Sequence, residues 1–411
     1  MTKKRIQKIM GSLLLGAMIY LFIRMFAYKE LSGINFVIGA LFGMVMVRGD
    51  FSFSANLRNP ILKKDYRFTY LFWQLTILTC LGFLLVMFLE NYYGVFHWLR
   101  YAAEPTRVSF YFCISAIIFG FGLSFLGSAG SGLIKKSCNA NIGFIVAVFS
   151  YFPGAVCGVL IREWAISYMG ERSLYMPELF GWPLALFIQF FLLVVAFKFI
   201  KKGIIKYGEY AADDEEENIL DIAISDLPTA TKTNAVIKEL FVSEIQADRG
   251  ILFIAIIAIV YFAFNQKVIA TAMPLALAGY RLLYALGVDT PSLFQNTGLP
   301  GLITQPFMKN QQLTMILGYA LGTILVPLWK GKYRIKKLAS IKKSIIMIVG
   351  GFCVGFGVQG IYGANIGEVF GAISMLSLSG WIIIPFICLG IFLGRPLFFY
   401  LSTDKNHPRP Q

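Results

Sequence analysis

Apolar residues in this 411-residue chain fall in long runs, separated by short polar stretches rich in lysine and arginine. A helix that is hydrophobic on every side needs lipid or other helices around it, and about 20 such residues cross a bilayer core. Runs at 9–27, 68–89, 107–126, 141–161, 180–199, 250–266, 312–329, 344–360 and 381–400 predict about nine full crossings. Up to four further pieces are too short or too irregular to cross simply. Residues 33–47 form an apolar run of fifteen that stops at Arg48-Gly49-Asp50, which fits a dipping or tilted helix. Residues 268–286 contain Pro274 and Gly279, and Pro153-Gly154 predicts a kink in the run 141–161.

One stretch interrupts the pattern more strongly. Phe119–Gly132 packs glycines at 120, 122, 127, 130 and 132 into the end of an apolar run, just before Lys135 and Lys136. Gly120-Phe121-Gly122 recurs as Gly355-Phe356-Gly357, Ala129 as Ala364 and Gly132 as Gly367, all at one constant offset of 235 residues. A repeated, glycine-broken element predicts a transporter built from two related halves. Unpaired backbone cannot face lipid, so a broken helix must line a cavity or lie within protein. The start of a half-helix exposes N–H groups with partial positive charge and can hold an anion. Two breaks placed face to face would form one central site.

The polar segments set the organisation. Lys3, Lys4, Arg5 and Lys8 place the N-terminus in the cytoplasm, as do the basic loops Arg58–Arg67 and Lys330–Lys343 for their own positions. Residues 91–106, with Tyr92, Tyr93, Trp98 and Tyr101, resemble an outer aromatic belt. Residues 200–248 combine a basic start with the acidic run Asp213–Glu217 and read as a cytoplasmic linker. It divides an N-terminal transmembrane half, 1–199, from a C-terminal half, 249–411, whose tail also returns to the cytoplasm.

Composition agrees: 57% of residues are hydrophobic, 14% are charged, and the mean hydropathy is +0.68. Soluble domains carry about a quarter charged residues. The net charge of +15 lies in loops beside the apolar runs, so it marks the bilayer and not nucleic acid. The six cysteines form no CxxC pair, and the two histidines fall in a loop and the tail, so neither a disulfide framework nor a metal site is expected. The first apolar run is long and lacks a small-residue exit site, which fits a retained first span and not a cleaved signal peptide. No GxxxxGK[ST] motif appears. No catalytic residue and no cofactor are expected.

Three motifs in their order, Arg48-Gly49-Asp50-Phe51-Ser52-Phe53 with Asn56–Asn59, Gly120–Gly122 with Gly127–Gly132, and Gly355–Gly357 with Gly363-Ala364-Asn365-Ile366-Gly367 and Ser379-Gly380-Trp381, resemble the YeeE/YedE sulfur-transport family. The resemblance covers nearly the whole chain. It implies uptake of thiosulfate or related sulfur or selenium species, and a cytoplasmic sulfur-carrier protein as partner. In the family each motif carries a cysteine in the permeation path, and the resemblance implies that these thiols relay the ion. Here the positions hold Ser52, Ala129 and Ala364. A hydroxyl still donates and alanine does not. Two accounts fit equally: a natural branch with another substrate, or an engineered thiol-free chain.

Ser52, Ser128, Ser131 and Asn365 carry donors beside the breaks, and Arg48 ends the dipping piece. Glu368 points the other way. An unpaired carboxylate at membrane depth costs about 2.5 kcal/mol or more, so this one is protonated, paired with a base such as Arg48, a proton-coupling group, or solvated near the interface. The expectation is an all-α polytopic membrane protein with two pseudo-symmetric halves and re-entrant helices around a central pore. It would take up a small inorganic, thiosulfate-like anion across a bacterial cytoplasmic membrane. The alternatives are a channel or exporter for a different small solute, and a non-transporting membrane scaffold.

Overall fold

The computed structural model describes residues 3–93, 107–207, 247–295, 297, 299–337, 341–361 and 369–402. Most of the expected aromatic segment 91–106, most of the linker 200–248 and the stretch 362–368 lie outside these residues. The described chain is almost entirely helical. In its first part α1 (Lys3–Tyr28), α2 (Glu30–Arg48), α3 (Ala55–Leu62), α4 (Arg67–Tyr93), α5 (Phe110–Leu126), α6 (Gly130–Cys138), α7 (Ile142–Met169), α8 (Met176–Phe180) and α9 (Trp182–Tyr207) follow one another. After the linker come α10 (Ala247–Asn265), α11 (Ala272–Ala285), α12 (Thr290–Leu293), α13 (Leu299–Thr304), α14 (Gln311–Lys330), α15 (Ile341–Gly360), α16 (Ala372–Ser374) and α17 (Ser379–Ser402). Among the described residues the only strands are β1 (Arg107–Val108) and β2 (Arg172–Ser173), paired antiparallel.

Nine helical segments among the described residues are long and apolar enough to cross a membrane: α1, α2, α4, α5 with α6, α7, α9, α14, α15 and α17. The protein is an all-α, multi-pass membrane protein. The membership of this set corrects the sequence expectation at one place. Residues 33–47 belong to α2, which has 19 residues because Glu30-Leu31-Ser32 continue the helix beyond the apolar run. At 1.5 Å per residue it is about 28 Å long, a full crossing. The run 250–266, expected to cross, forms α10, which at 19 residues is as long as α2. Two further boundaries move. The helix through Pro153 is unbroken as far as Met169, and α9 continues past residue 199 to Tyr207, with Lys206 in its last turn.

Among lipid-embedded helices little apolar area is gained by association, so close backbone packing through small residues has to hold them together. Three helix pairs use the same reciprocal device. In α2 and α14, a Cβ on Gly39 or Gly43 would overlap the Met315 or Tyr319 carbonyl, and one on Gly318 or Gly322 the Phe36 or Ala40 carbonyl. In α5 and α17, Gly120 lies on the Ile387 carbonyl and Gly390 on that of Ile117. In α7 and α15, Gly355 lies on the Tyr151 carbonyl and Gly154 on that of Phe352. The offset of 235 relates Gly120 and Ile117 of α5 to Gly355 and Phe352 of α15, and their partners in α7 and α17 differ by 236, so the last two pairs make alike contacts. The two repeats then meet along α5 and α15, where Gly122 sits against Gly350, Cys353 and Val354, and Gly357 against Ser115 and Phe119. A side-chain amide pair joins α2 to α10: Asn35 Nδ2 donates to Asn265 Oδ1 and Asn265 Nδ2 to Asn35 Oδ1, both at 2.7 Å.

Backbone overlap cannot be relieved by a rotamer change. Gly120→Ala and Gly355→Ala are therefore expected to lower the apparent melting temperature of the detergent-solubilised protein and its monodisperse yield. Gly16→Ala, where a Cβ meets nothing within 4 Å, leaves both unchanged. Size-exclusion chromatography of heated samples reads the difference.

Candidate functional site

Helix α5 ends where the glycine pattern interrupts the apolar run. Gly127 adopts the left-handed region (φ 56°), and its N–H bonds the Leu123 carbonyl, a C-terminal cap that glycine takes without a Cβ penalty. Ser128 and Ala129 continue in irregular and extended backbone, and α6 restarts at Gly130. Ala129 is the residue before the first turn, and no side chain caps this helix start. Alanine has no oxygen to accept from the first N–H groups, whereas serine in the same place would. The Ser128 hydroxyl is fully buried and has no hydrogen-bond partner among the described residues. Ser131 is buried in the first turn, and its carbonyl accepts from Tyr319 Oη of α14 at 2.9 Å.

The loop 49–54 after α2 is fastened to this break from two sides. Ser52 Oγ lies 3.3 Å from Ser54 Oγ, and Ser54 Oγ donates to the Gly127 carbonyl at 3.0 Å. On the other side Lys135 of α6 reaches back into the loop. Its Nζ donates to the Phe51 carbonyl at 3.1 Å, to the Met46 carbonyl at 3.4 Å, and to Asp50 Oδ1 at 3.0 Å. In the sequence Lys135 stands among the basic residues beside an apolar run. Its side chain is 9% exposed and acts as a stitch between two motifs. Arg48 ends α2, half-buried, just before the loop.

Arg58, on α3, completes the constellation. Its guanidinium lies against Gly127, where a Cβ would stand 2.9 Å from one terminal nitrogen. Nε donates to the Ser124 carbonyl at 3.4 Å, and the group stacks 5.0 Å from the centre of the Phe398 ring. Among the described residues no carboxylate pairs with it. Burial alone pushes its pKa down to about 10, so it remains a cation at neutral pH. Around Lys136, in the last turn of α6, Lys135, Arg58 and Lys336 add positive charge and Asp50 opposes it.

Phe53 anchors the loop from below, with Phe51 at 5.3 Å, Phe72 at 6.0 Å and Phe42 at 6.3 Å between ring centres. Phe370, which follows the third motif, packs on Phe53 at 6.1 Å and on Phe72 at 6.2 Å. The chain beyond α15 therefore returns to the first motif. Ala364, Asn365 and Glu368 lie outside the described residues. So does the expected face-to-face meeting of the two breaks. What faces Gly130 is another helix start: a Cβ there would stand 2.7 Å from the Ala272 nitrogen and 2.8 Å from Thr271 Oγ1. Thr271 precedes α11 and makes no side-chain cap bond. The Ala272 carbonyl is held by Tyr151 Oη at 2.7 Å. Sequence reading passed over Thr271 and Ala272; Pro274 in the first turn of α11 was their signal.

Of the eight residues singled out from sequence, Ser52, Ser128, Ala129 and Ser131 gather at the start of α6, with Arg48 at the edge of the same loop. Ser54, Arg58 and Lys135 join them. Residues 48–393 match the family model described as sulphur transport. The chain belongs to the sulphur transport family. It is also similar to the thiosulfate transporter TsuA of Escherichia coli (strain K12), 23% identical over 390 residues, which is 91% of this chain and 96% of that protein. Membership of the family makes the chain a membrane transporter of a sulfur anion, and agrees with the resemblance drawn from its three motifs.

The stitch divides unequally between its parts. The Asp50 side chain is 95% exposed, so water screens the ion pair, and such a pair contributes about 0–1 kcal/mol. The two carbonyls, by contrast, lose a charged donor if Lys135 goes. Asp50→Asn is expected to leave the apparent melting temperature nearly unchanged, and Lys135→Met to lower it clearly. Equal losses in the two variants, measured by thermal unfolding in detergent, would contradict this division.

Proposed function

We propose that the protein takes up a small sulfur oxyanion of the thiosulfate kind into the cytoplasm, across the cytoplasmic membrane of a bacterium, by a path past the start of α6. The observation that carries this reading is Arg58: a desolvated cation, without a carboxylate partner among the described residues, set against a helix break whose N–H groups are uncapped. A largely buried cation without a counter-charge among the described residues is explained by an anion that visits it. Lys3, Lys4, Arg5 and Lys8 support a cytoplasmic N-terminus, and the basic loop from Lys330 supports the same side for its own position. Halves at 1–199 and 249–411 with a cytoplasmic linker between them fit the repeated packing.

The donors of this site differ from thiols. Ser52, Ser128, the first N–H groups of α6 and the Arg58 guanidinium all address oxygen acceptors. Ala129 and Ala364 leave nothing to contact a terminal sulfur. The oxyanion is thus held through its oxygens, and Arg48, Ser131, Asn365 and Glu368 are assigned to the same path on the sequence motifs. A cytoplasmic sulfur-carrier protein that consumes the ion would draw uptake inward.

Uptake of isotope-labelled thiosulfate in a host without carriers of its own tests the reading. Expression should raise uptake above an empty-vector control. Arg58→Gln should cut it roughly tenfold or more, the size expected for a lost charged hydrogen bond, and Arg58→Lys should retain part of it. Uptake equal to the control would end the thiosulfate assignment.

A further inference from the structure

At the opposite end of the α5–α15 contact lies a junction of buried polar groups that the fold does not use. There α5, α7 and α15 meet around Ser115, Gly158, Gln359 and Gly360. Ser115 and Gln359 are fully buried. Neither the nitrogen nor the oxygen of the Gln359 amide has a hydrogen-bond partner among the described residues, and the Ser115 hydroxyl has only a poorly aligned contact with the Tyr111 hydroxyl. The adjacent Tyr111 hydroxyl is already engaged, donating to the Gly158 carbonyl at 2.8 Å. Glycine on both neighbours makes room for these groups. A Cβ on Gly158 would stand 3.0 Å from Gln359 Cβ and 3.2 Å from its Cγ, and one on Gly360 would overlap the Ser115 hydroxyl. A methionine or leucine would fill the same space without stranding an amide, so packing does not explain glutamine here.

The position within the repeat is informative. Gln359 lies 235 residues after Ser124, the residue whose carbonyl accepts from Arg58. Equivalent points of the two halves therefore carry polar groups, one at each end of α5. Ser115 and Ser124 are nine residues apart, about 14 Å along the helix. We infer that Gln359 and Ser115 form a second holding point for the transported oxyanion, at the other end of α5 from Arg58. The amide N–H groups and the hydroxyl grip oxygens of the ion, and the amide carbonyl takes a water that travels with it. Neutral donors bind weakly enough to release the ion toward the cationic point, as conduction between successive sites requires. This inference rests on the proposed uptake of a sulfur oxyanion.

Purified protein in liposomes, with initial uptake of labelled thiosulfate measured against concentration, provides the test. Gln359→Met, which keeps length and volume, and Ser115→Ala should each raise the half-saturation concentration roughly five- to tenfold, with a smaller change in maximal rate. Gln359→Glu, which sets a negative charge at the same point, should abolish uptake. An unchanged half-saturation in both Gln359→Met and Ser115→Ala, at equal amounts of monodisperse protein, marks a junction filled by water only and overturns the inference. Should Gln359→Met aggregate, Ser115→Ala decides alone. Wild-type protein that fails to exceed protein-free liposomes sinks the sulfur-oxyanion reading itself, and this inference with it, a result separate from unchanged variants of an active wild type.

Discussion

A helix cannot simply stop inside hydrocarbon. Each backbone N–H and C=O left without a partner there costs several kcal/mol, and the break at Gly127–Ala129 has to be paired from elsewhere. The surrounding elements supply those contacts. Ser54 donates to the Gly127 carbonyl, Arg58 to that of Ser124, and Tyr319 to that of Ser131. Carbonyls are thus supplied with donors, while the N–H groups at the start of α6 receive no side-chain acceptor. The imbalance runs in one direction. Donors are in excess around this point, which is the arrangement an anion completes and a cation does not.

That arrangement depends on how closely the helices approach. Reciprocal glycines bring α2 onto α14, α5 onto α17 and α7 onto α15 at backbone contact. Only then can short side chains such as Ser54 reach across from one element to the next. Wider spacing would require longer residues, with more conformational freedom to lose. The aromatic cluster around Phe53 works at the same place by filling the space under the loop, so that Ser52 and Ser54 are presented from a packed base.

Hydropathy showed the bundle well, because long apolar runs mean the same thing in any fold. It misjudged α2 for a physical reason. Glu30, Leu31 and Ser32 continue α2 although the apolar run has ended, since helix geometry does not stop where hydrophobicity does. The break was legible from Gly127 and Gly130, residues with backbone reasons to be there. The roles of Lys135 and Arg58 were not. Lys135 finds its acceptors 84 to 89 positions away, and local sequence places both residues among ordinary juxtamembrane charges. Thr271 and Ala272 escaped for a related reason: their importance comes from lying beside Gly130, a contact between halves of the chain. The residues 364, 365 and 368 stand outside what the structure describes, so the third motif is located through Gly355–Gly357, Phe370 and Ser379–Trp381 on either side of them.

The reciprocal amides of Asn35 and Asn265 bear on how such a bundle can move. Two bonds of 2.7 Å in opposite senses hold α2 and α10 at one relative height. Sliding either helix by a turn would strand both amides in apolar surroundings. Rotation about the pair keeps both bonds. The contact therefore acts as a pivot and not as a rail: tilting is the low-cost displacement between these two helices, and piston motion is the one the structure resists.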